Sequence, residues 1–234
     1  MVVPSAGNRQ KLRILCLHGY EQDASIFRAK LKCHVSDLED KAELVFATAP
    51  NTLRPYDLSG MDNLARIAAA RAGSTISRIP KGWYIRKSAD PEIVDGLDNS
   101  IAYLEAVLEE QGPFDGVLGF SQGGLMAAVM CSLLEHRYEG LSKKCTHPPF
   151  KFAIVSSGYK LKDKRWAHLY SKPIHTPSLH MYGVLDSMIR ISSSMALQEG
   201  FVQPASYSFV GGHYVPKSRQ SLRTVSEFIS QFAA

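Results

Sequence analysis

One stretch limits the possible folds of this chain more than any other: Asp115-Gly116-Val117-Leu118-Gly119-Phe120-Ser121-Gln122-Gly123-Gly124-Leu125. An apolar run of strand length ends in Gly119-Phe120-Ser121-Gln122-Gly123, a G-x-S-x-G pattern, and a long apolar run of helical length follows at once. Strand, serine turn and buried helix in that order predict a nucleophile elbow, the serine-bearing turn of an α/β-hydrolase. The turn is so sharp that only small residues fit at both ends of the motif. The first turn of the helix also places unpaired N–H groups and the positive end of its dipole beside the hydroxyl. The bare pattern is weak evidence; its place between two buried elements makes Ser121 a candidate nucleophile.

The rest of the chain alternates in the same way. Six short apolar runs are expected as strands: Leu12–Leu17, Glu43–Thr48, Asp115–Gly119, Lys151–Val155, Ser178–Tyr182 and Ser206–Val210. Several are apolar at consecutive positions, as strands covered on both faces must be. Amphipathic segments separate them, which predicts an α/β fold with a mostly parallel sheet and helices on both faces. Asp90-Pro91 reads as a cap and first helical position, with Ile93, Leu97, Ile101, Leu104 and Leu108 on one stripe. Gln122 to about His136 is apolar nearly all round and is expected to be the central helix. Ser218 is expected to cap a last helix that turns Leu222, Val225, Phe228, Ile229 and Phe232 inward.

A length of 234 residues, 45% of them hydrophobic and 21% charged, fits one domain over 1–234. Asn51 to Ser88 breaks the alternation with prolines, glycines, five arginines, Trp83 and Tyr84. It reads as a lid-like or pocket-lining excursion at about 51–88, with Trp83 and Tyr84 as candidate substrate-binding residues. The net charge of +5 is mild, and its densest stretch, Lys160 to Lys172, is expected to be a solvated face. Nothing resembles a nucleic-acid module or a membrane span. Cys16, Cys33, Cys131 and Cys145 form no CxxC pair, and two of them lie in apolar runs. Reduced thiols and a cytoplasmic setting are expected.

A serine hydroxyl needs a base to take its proton, and hydrolases order the partners as serine, acid, histidine. Asp186 follows the run ending at Tyr182, on the rim where parallel strands all end. Asp163 is the weaker acid, with no strand ahead of it. Among eight histidines, His213 follows the last strand through Gly211-Gly212 and is the expected base. His34, His136, His147, His168 and His175 are expected at the surface, and His180 in the core. Leu17-His18-Gly19-Tyr20 ends the first strand. The backbone N–H groups of Tyr20 and Gln122 are therefore the expected oxyanion hole, with His18 bracing the loop.

Five segments, LRILCLHGY at 12–20, GPFDGVLGFSQGGLMAA at 112–128, FAIVSSGY at 152–159, PSLHMYGVLDSMI at 177–189 and GGHYVP at 211–216, jointly resemble the small fungal FSH-type serine hydrolases. That family includes the thioesterase of lovastatin biosynthesis. The resemblance implies Ser121, Asp186 and His213 as the triad, and activity on carboxylic esters or acyl thioesters. It also implies release of a polyketide from the acyl carrier domain of its synthase. No metal or organic cofactor is needed. A broad carboxylesterase for small lipophilic esters and a hydrolase-fold binding module without catalysis are the competing expectations.

Overall fold

The computed structural model describes residues 11–54, 57, 79–87, 90, 92–138, 141–142 and 144–233. In chain order the strands are β1 (Leu12–Leu17), β2 (Ala42–Ala47), β3 (Asn51–Thr52), β4 (Lys81–Gly82), β5 (Ile85–Arg86), β6 (Val94–Asp95), β7 (Gly116–Phe120), β8 (Phe152–Ser156), β9 (Ser178–Gly183) and β10 (Ala205–Phe209). The helices are α1 (Ala24–Lys30), α2 (Lys32–Asp37), α3 (Leu97–Gln111), α4 (Gln122–His136), α5 (Ile191–Gln198) and α6 (Arg219–Ser230), with a 3-10 helix over Lys164–Tyr170.

Six strands make one parallel sheet in the order β10-β9-β8-β7-β1-β2. They are the six expected from the sequence. Successive side chains point to opposite faces, so each strand feeds two cores. On one face Leu15, Leu17, Val117 and Val155 pack with α3 and α4. On the other Ile14, Cys16, Leu118 and Ile154 pack with Phe27 of α1, Leu31 between α1 and α2, and Val225 and Ile229 of α6. All residues of β7, β8 and β9 are buried, which is why those runs read as continuously apolar.

The chain leaves β1 for β2 on one side and then crosses back to β7 on the other. Loops after β1 and β7 thus diverge, opening a crevice at the carboxyl ends of the central strands. Tyr20 and Ser121 stand on its two lips.

Three expectations need correction. The helix expected from Asp90 begins at Leu97, because Val94–Asp95 pairs antiparallel with Ile85–Arg86 instead. Asp90 caps only a turn, accepting from Glu92 N–H and Ile93 N–H. Tertiary bonds overrule the local signal: Val94 N–H donates to Asp163 Oδ2 at 3.0 Å, and the Arg165 guanidinium donates to the Val94 carbonyl. Second, the Lys160–Lys172 stretch is not uniformly solvated. Asp163 and Leu169 are buried, and the Arg165 guanidinium holds the Asp163 carboxyl well below its usual range. Third, His34 and His147 are buried rather than at the surface. Helix α2, which carries His34, packs on α6, and His147 Nε2 accepts the Phe114 N–H at 2.8 Å.

The excursion expected over 51–88 lies in good part outside the described residues; of its ends, β3 pairs antiparallel with β4. Among the described residues no helix is long and apolar enough to cross a membrane, and all four cysteines are free thiols.

Burial pushes His18, His34 and His180 each down to about 4. The unfolded chain binds protons at these sites from its ordinary value of 6.5 downward, whereas the folded chain resists until about 4. Their stabilisation is complete above pH 6.5 and is lost as pH falls through that window. The urea midpoint should therefore fall steeply between neutral pH and pH 4, and His180→Gln should flatten the slope. An unchanged slope in that variant would refute the assignment for His180.

Candidate active site

The backbone of Ser121 adopts φ 55° and ψ −116°, in a region that side-chain-bearing residues rarely occupy. Three contacts hold it there. Its N–H donates to Ser156 O at 2.8 Å, and its carbonyl accepts from Leu125 N–H inside α4. The third is steric: a Cβ on Gly119 would lie 2.1 Å from Gly123 O, and one on Gly123 would lie 2.1 Å from Leu17 O. Both motif glycines are dictated by the closeness of α4 to the ends of β7 and β1.

Ser121 Oγ lies 2.9 Å from His213 Nε2, and His213 Nδ1 lies 2.7 Å from Asp186 Oδ2. Asp186 is thereby brought to the expected histidine, while Asp163, the weaker candidate, is engaged by Arg165. The Asp186 carboxylate is immobilised by further donors: Met188 N–H at 2.9 Å, Ile189 N–H at 2.8 Å and Ser157 Oγ at 3.1 Å. The His213 ring rests on Phe120, with centroids 4.8 Å apart.

The loops after β9 and β10 are laced together. Val184 N–H donates to Phe209 O and Leu185 N–H to Gly211 O, at 2.9 and 3.0 Å. Gly183 permits this approach, since a Cβ there would lie 2.3 Å from Gly211 O.

His18 is fully buried, with Nδ1 2.7 Å from Gly19 O and Nε2 2.9 Å from Ala49 N. The carbonyl accepts and the amide donates, so the ring carries its proton on Nδ1 and is neutral. Its depressed pKa of about 4, caused chiefly by desolvation, agrees with that state. His18 therefore ties the end of β1 to the segment after β2. The loop that follows bends at Glu21, φ 64°. The Tyr20 hydroxyl donates to Asp57 O, anchoring that residue from its side-chain end.

The structure divides the two candidate pocket residues. Trp83 is completely buried, with its indole N–H donating to His18 O at 2.9 Å, so it supports the site from behind. Tyr84 is buried too, but its hydroxyl reaches a neighbouring cleft, 2.6 Å from the Tyr159 hydroxyl. Sequence reasoning missed the residue that joins them to the elbow. The Gln122 side chain accepts from Trp83 N–H at 2.7 Å and donates to Tyr84 O at 2.8 Å. It also missed Ser157, which satisfies the same rim criterion as Asp186 by standing one residue past β8.

The sequence matches the family described as Serine hydrolase (FSH1) over residues 7–225. The chain belongs to that serine hydrolase family. A relative, Esterase OVCA2 of Danio rerio, is 31% identical over 230 residues, which cover 94% of this chain and 97% of that protein. Among solved structures, SOBER1 of Arabidopsis thaliana superimposes with a TM-score of 0.63 at 17% identity, covering 95% of this chain and 99% of that one. Acyl-protein thioesterase 2 of Zea mays gives 0.59 at 20% identity, covering 100% and 97%. At such identities the structural likeness establishes the α/β-hydrolase fold alone.

Gln122→Ala removes the partners of a buried N–H and a buried carbonyl while leaving the Gln122 backbone N–H in place. Unpaired buried groups of this kind should lower the thermal midpoint by roughly 5–10 °C. Calorimetric melting checks this, and an unshifted midpoint would show that the Gln122 clamp contributes nothing.

Proposed function

We propose that this serine hydrolase cleaves acyl esters or thioesters through a Ser121–His213–Asp186 triad and a covalent acyl-enzyme. The observation that carries the proposal is the unbroken line of hydrogen bonds from Ser121 Oγ through His213 to Asp186, starting at a strained elbow. His213 Nε2 takes the hydroxyl proton as Oγ attacks the acyl carbonyl. Asp186 keeps the other ring proton on Nδ1 and stabilises the imidazolium. The tetrahedral oxygen is received by the backbone N–H groups of Tyr20 and Gln122, each worth about 3 kcal/mol in such a site. The leaving alcohol or thiol collects its proton from His213, and water then attacks the acyl-enzyme with His213 again as base.

Two features support a lipophilic acyl group. Leu185 and Met188 are exposed beside Asp186, and Val210 and Tyr214 are exposed beside His213. These exposed apolar side chains, all within three residues of Asp186 or His213 in the chain, are surface that a hydrocarbon chain would cover. Within this chemistry, the fungal FSH-type resemblance supports release of an acyl product from a carrier domain of a polyketide synthase. The esterase relative supports oxygen esters of small molecules. The buried free thiols of Cys16, Cys131 and Cys145 support a reducing, cytoplasmic setting.

Ser121→Ala should abolish hydrolysis of an aryl butyrate and labelling by a fluorophosphonate while the circular-dichroism melt stays cooperative. Asp186→Asn should lower kcat by roughly ten-thousand-fold, since the wrong tautomer then faces Ser121. Retained turnover in Ser121→Ala would sink the mechanism. A panel of oxygen esters and thioesters with the same acyl chain separates the two substrate readings.

A further inference from the structure

A cleft of about 500 Å³ lies beside the site, and the mechanism above leaves it unused. Its walls come from four places: Tyr84 and Arg86, Glu92 and Val94, the segment from Tyr159 to Lys162, and Met188 to Arg190 with Ser193. All but the Glu92 wall are tied directly to the site. The Tyr84 carbonyl accepts from Gln122, Ser157 just ahead of Tyr159 holds Asp186, and the Met188 and Ile189 amides hold Asp186. A group bound here would sit within one short chain of the scissile carbonyl.

The cleft carries an unbalanced charge. Arg86, Lys160, Lys162 and Arg190 line it, against the single carboxylate of Glu92. Glu92 is already engaged by Lys162 at 3.5 Å. The neighbouring acids are also taken: Asp163 by Arg165 at 2.5 Å, and Asp95 by Lys87 at 3.3 Å. Arg86, Lys160 and Arg190 therefore have no carboxylate partner among the described residues. Arg86 lies over the Tyr159 ring and Lys160 over the Tyr170 ring, each 5.8 Å from the centroid. Aromatic faces steady these cations without neutralising them.

Donors of hydrogen bonds point the same way. The Tyr84 and Tyr159 hydroxyls share one hydrogen bond, which leaves one O–H for a third group. Burial, with Tyr84 beside it, keeps the Tyr159 hydroxyl protonated far above the ordinary tyrosine range. Helix α5 starts at the cleft as well, its cap Arg190 and first-turn Ser193 both lining the wall, so its dipole adds positive potential.

We propose that this cleft binds an anionic group of the substrate, a carboxylate or phosphate. The enzyme then prefers esters or thioesters that carry a negative charge a short chain from the reacting carbonyl. A neutral substrate would leave three cations unanswered, whereas a carboxylate or phosphate accepts from Arg86, Arg190 and a tyrosine hydroxyl together. The proposal rests on Ser121 being the nucleophile, and it specifies what that site selects.

The test compares matched substrates that differ by one charged group. On the acyl side the pair is mono-p-nitrophenyl adipate and its methyl-capped diester. On the leaving-group side it is butanoyl phosphopantetheine and butanoyl pantetheine. The charged member of at least one pair should have the higher kcat/KM, chiefly through KM, and that advantage should shrink with added salt. The pair that discriminates tells which side carries the anion. Arg86→Gln combined with Arg190→Gln should lower the charged-to-neutral ratio about tenfold, with Arg190→Lys largely restoring it in the single-site series. A ratio near unity in both pairs for the native enzyme, or equal losses on charged and neutral members in the variant, would overturn the proposal. Hydrolysis of the neutral members, together with fluorophosphonate labelling, reports on Ser121 separately, so failure of the triad and failure of the anion cleft give different results.

Discussion

Everything at this site depends on how closely helix α4 can approach the carboxyl ends of β1 and β7. Gly119 and Gly123 set that distance by having no Cβ. With any side chain at either position, its Cβ would meet a backbone oxygen at 2.1 Å, α4 would have to back away, and Ser121 would lose the geometry that its positive φ records. Strain of this type costs on the order of 1–3 kcal/mol and survives only where surrounding structure over-determines it. Here the surroundings are unusually complete: α4 is buried along its length from Gln122 to Leu134, and β7 is buried at every residue. A large buried core supplies the stability that one strained residue consumes.

The second requirement is that residues far apart in sequence meet within hydrogen-bond distance of that serine. The parallel sheet solves most of this by ending all its strands on one rim, so Ser121, Asp186 and His213 start close together. The remainder is local. Gly183 lets the loops after β9 and β10 hydrogen-bond to each other, which transmits the position of Asp186 directly to His213. Asp186 is in turn fixed by Ser157, Met188 and Ile189, leaving its Oδ2 aimed at His213. Precision here comes from backbone amides and glycines rather than from additional acidic or basic groups.

The features legible in the sequence were those with strong local signatures. All six sheet strands and α4 were recoverable because full burial writes itself as continuous apolar runs, and the elbow because steric exclusion demands glycine at two fixed positions. The meeting of Asp186 and His213 was readable because strand ends define a rim. What escaped has the opposite character. Val94–Asp95 carries a helical signal that Asp163 and Arg165 cancel from about seventy positions away in the chain. His34 and His147 sit in polar sequence yet are buried by the packing of whole elements. Trp83 reads as a candidate substrate-binding aromatic in an irregular stretch, but its indole N–H is spent on the His18 carbonyl. Side chains whose partners lie in another element leave no periodicity to read.

Gln122 shows how such a partner shapes function. It follows Ser121 directly as the first residue of α4, while its side chain closes two buried hydrogen bonds on Trp83 and Tyr84. One residue thus spans the elbow and the first wall of the cationic cleft. Tyr84 then carries the connection outward through its hydroxyl to Tyr159, over whose ring Arg86 is held. Because each link is a short hydrogen bond or a ring contact, a ligand drawn toward Arg86 bears on groups that are continuous with the first turn of α4. A site of this construction is suited to using a charge remote from the reacting carbonyl to orient that carbonyl, which is binding energy applied to alignment rather than to affinity alone.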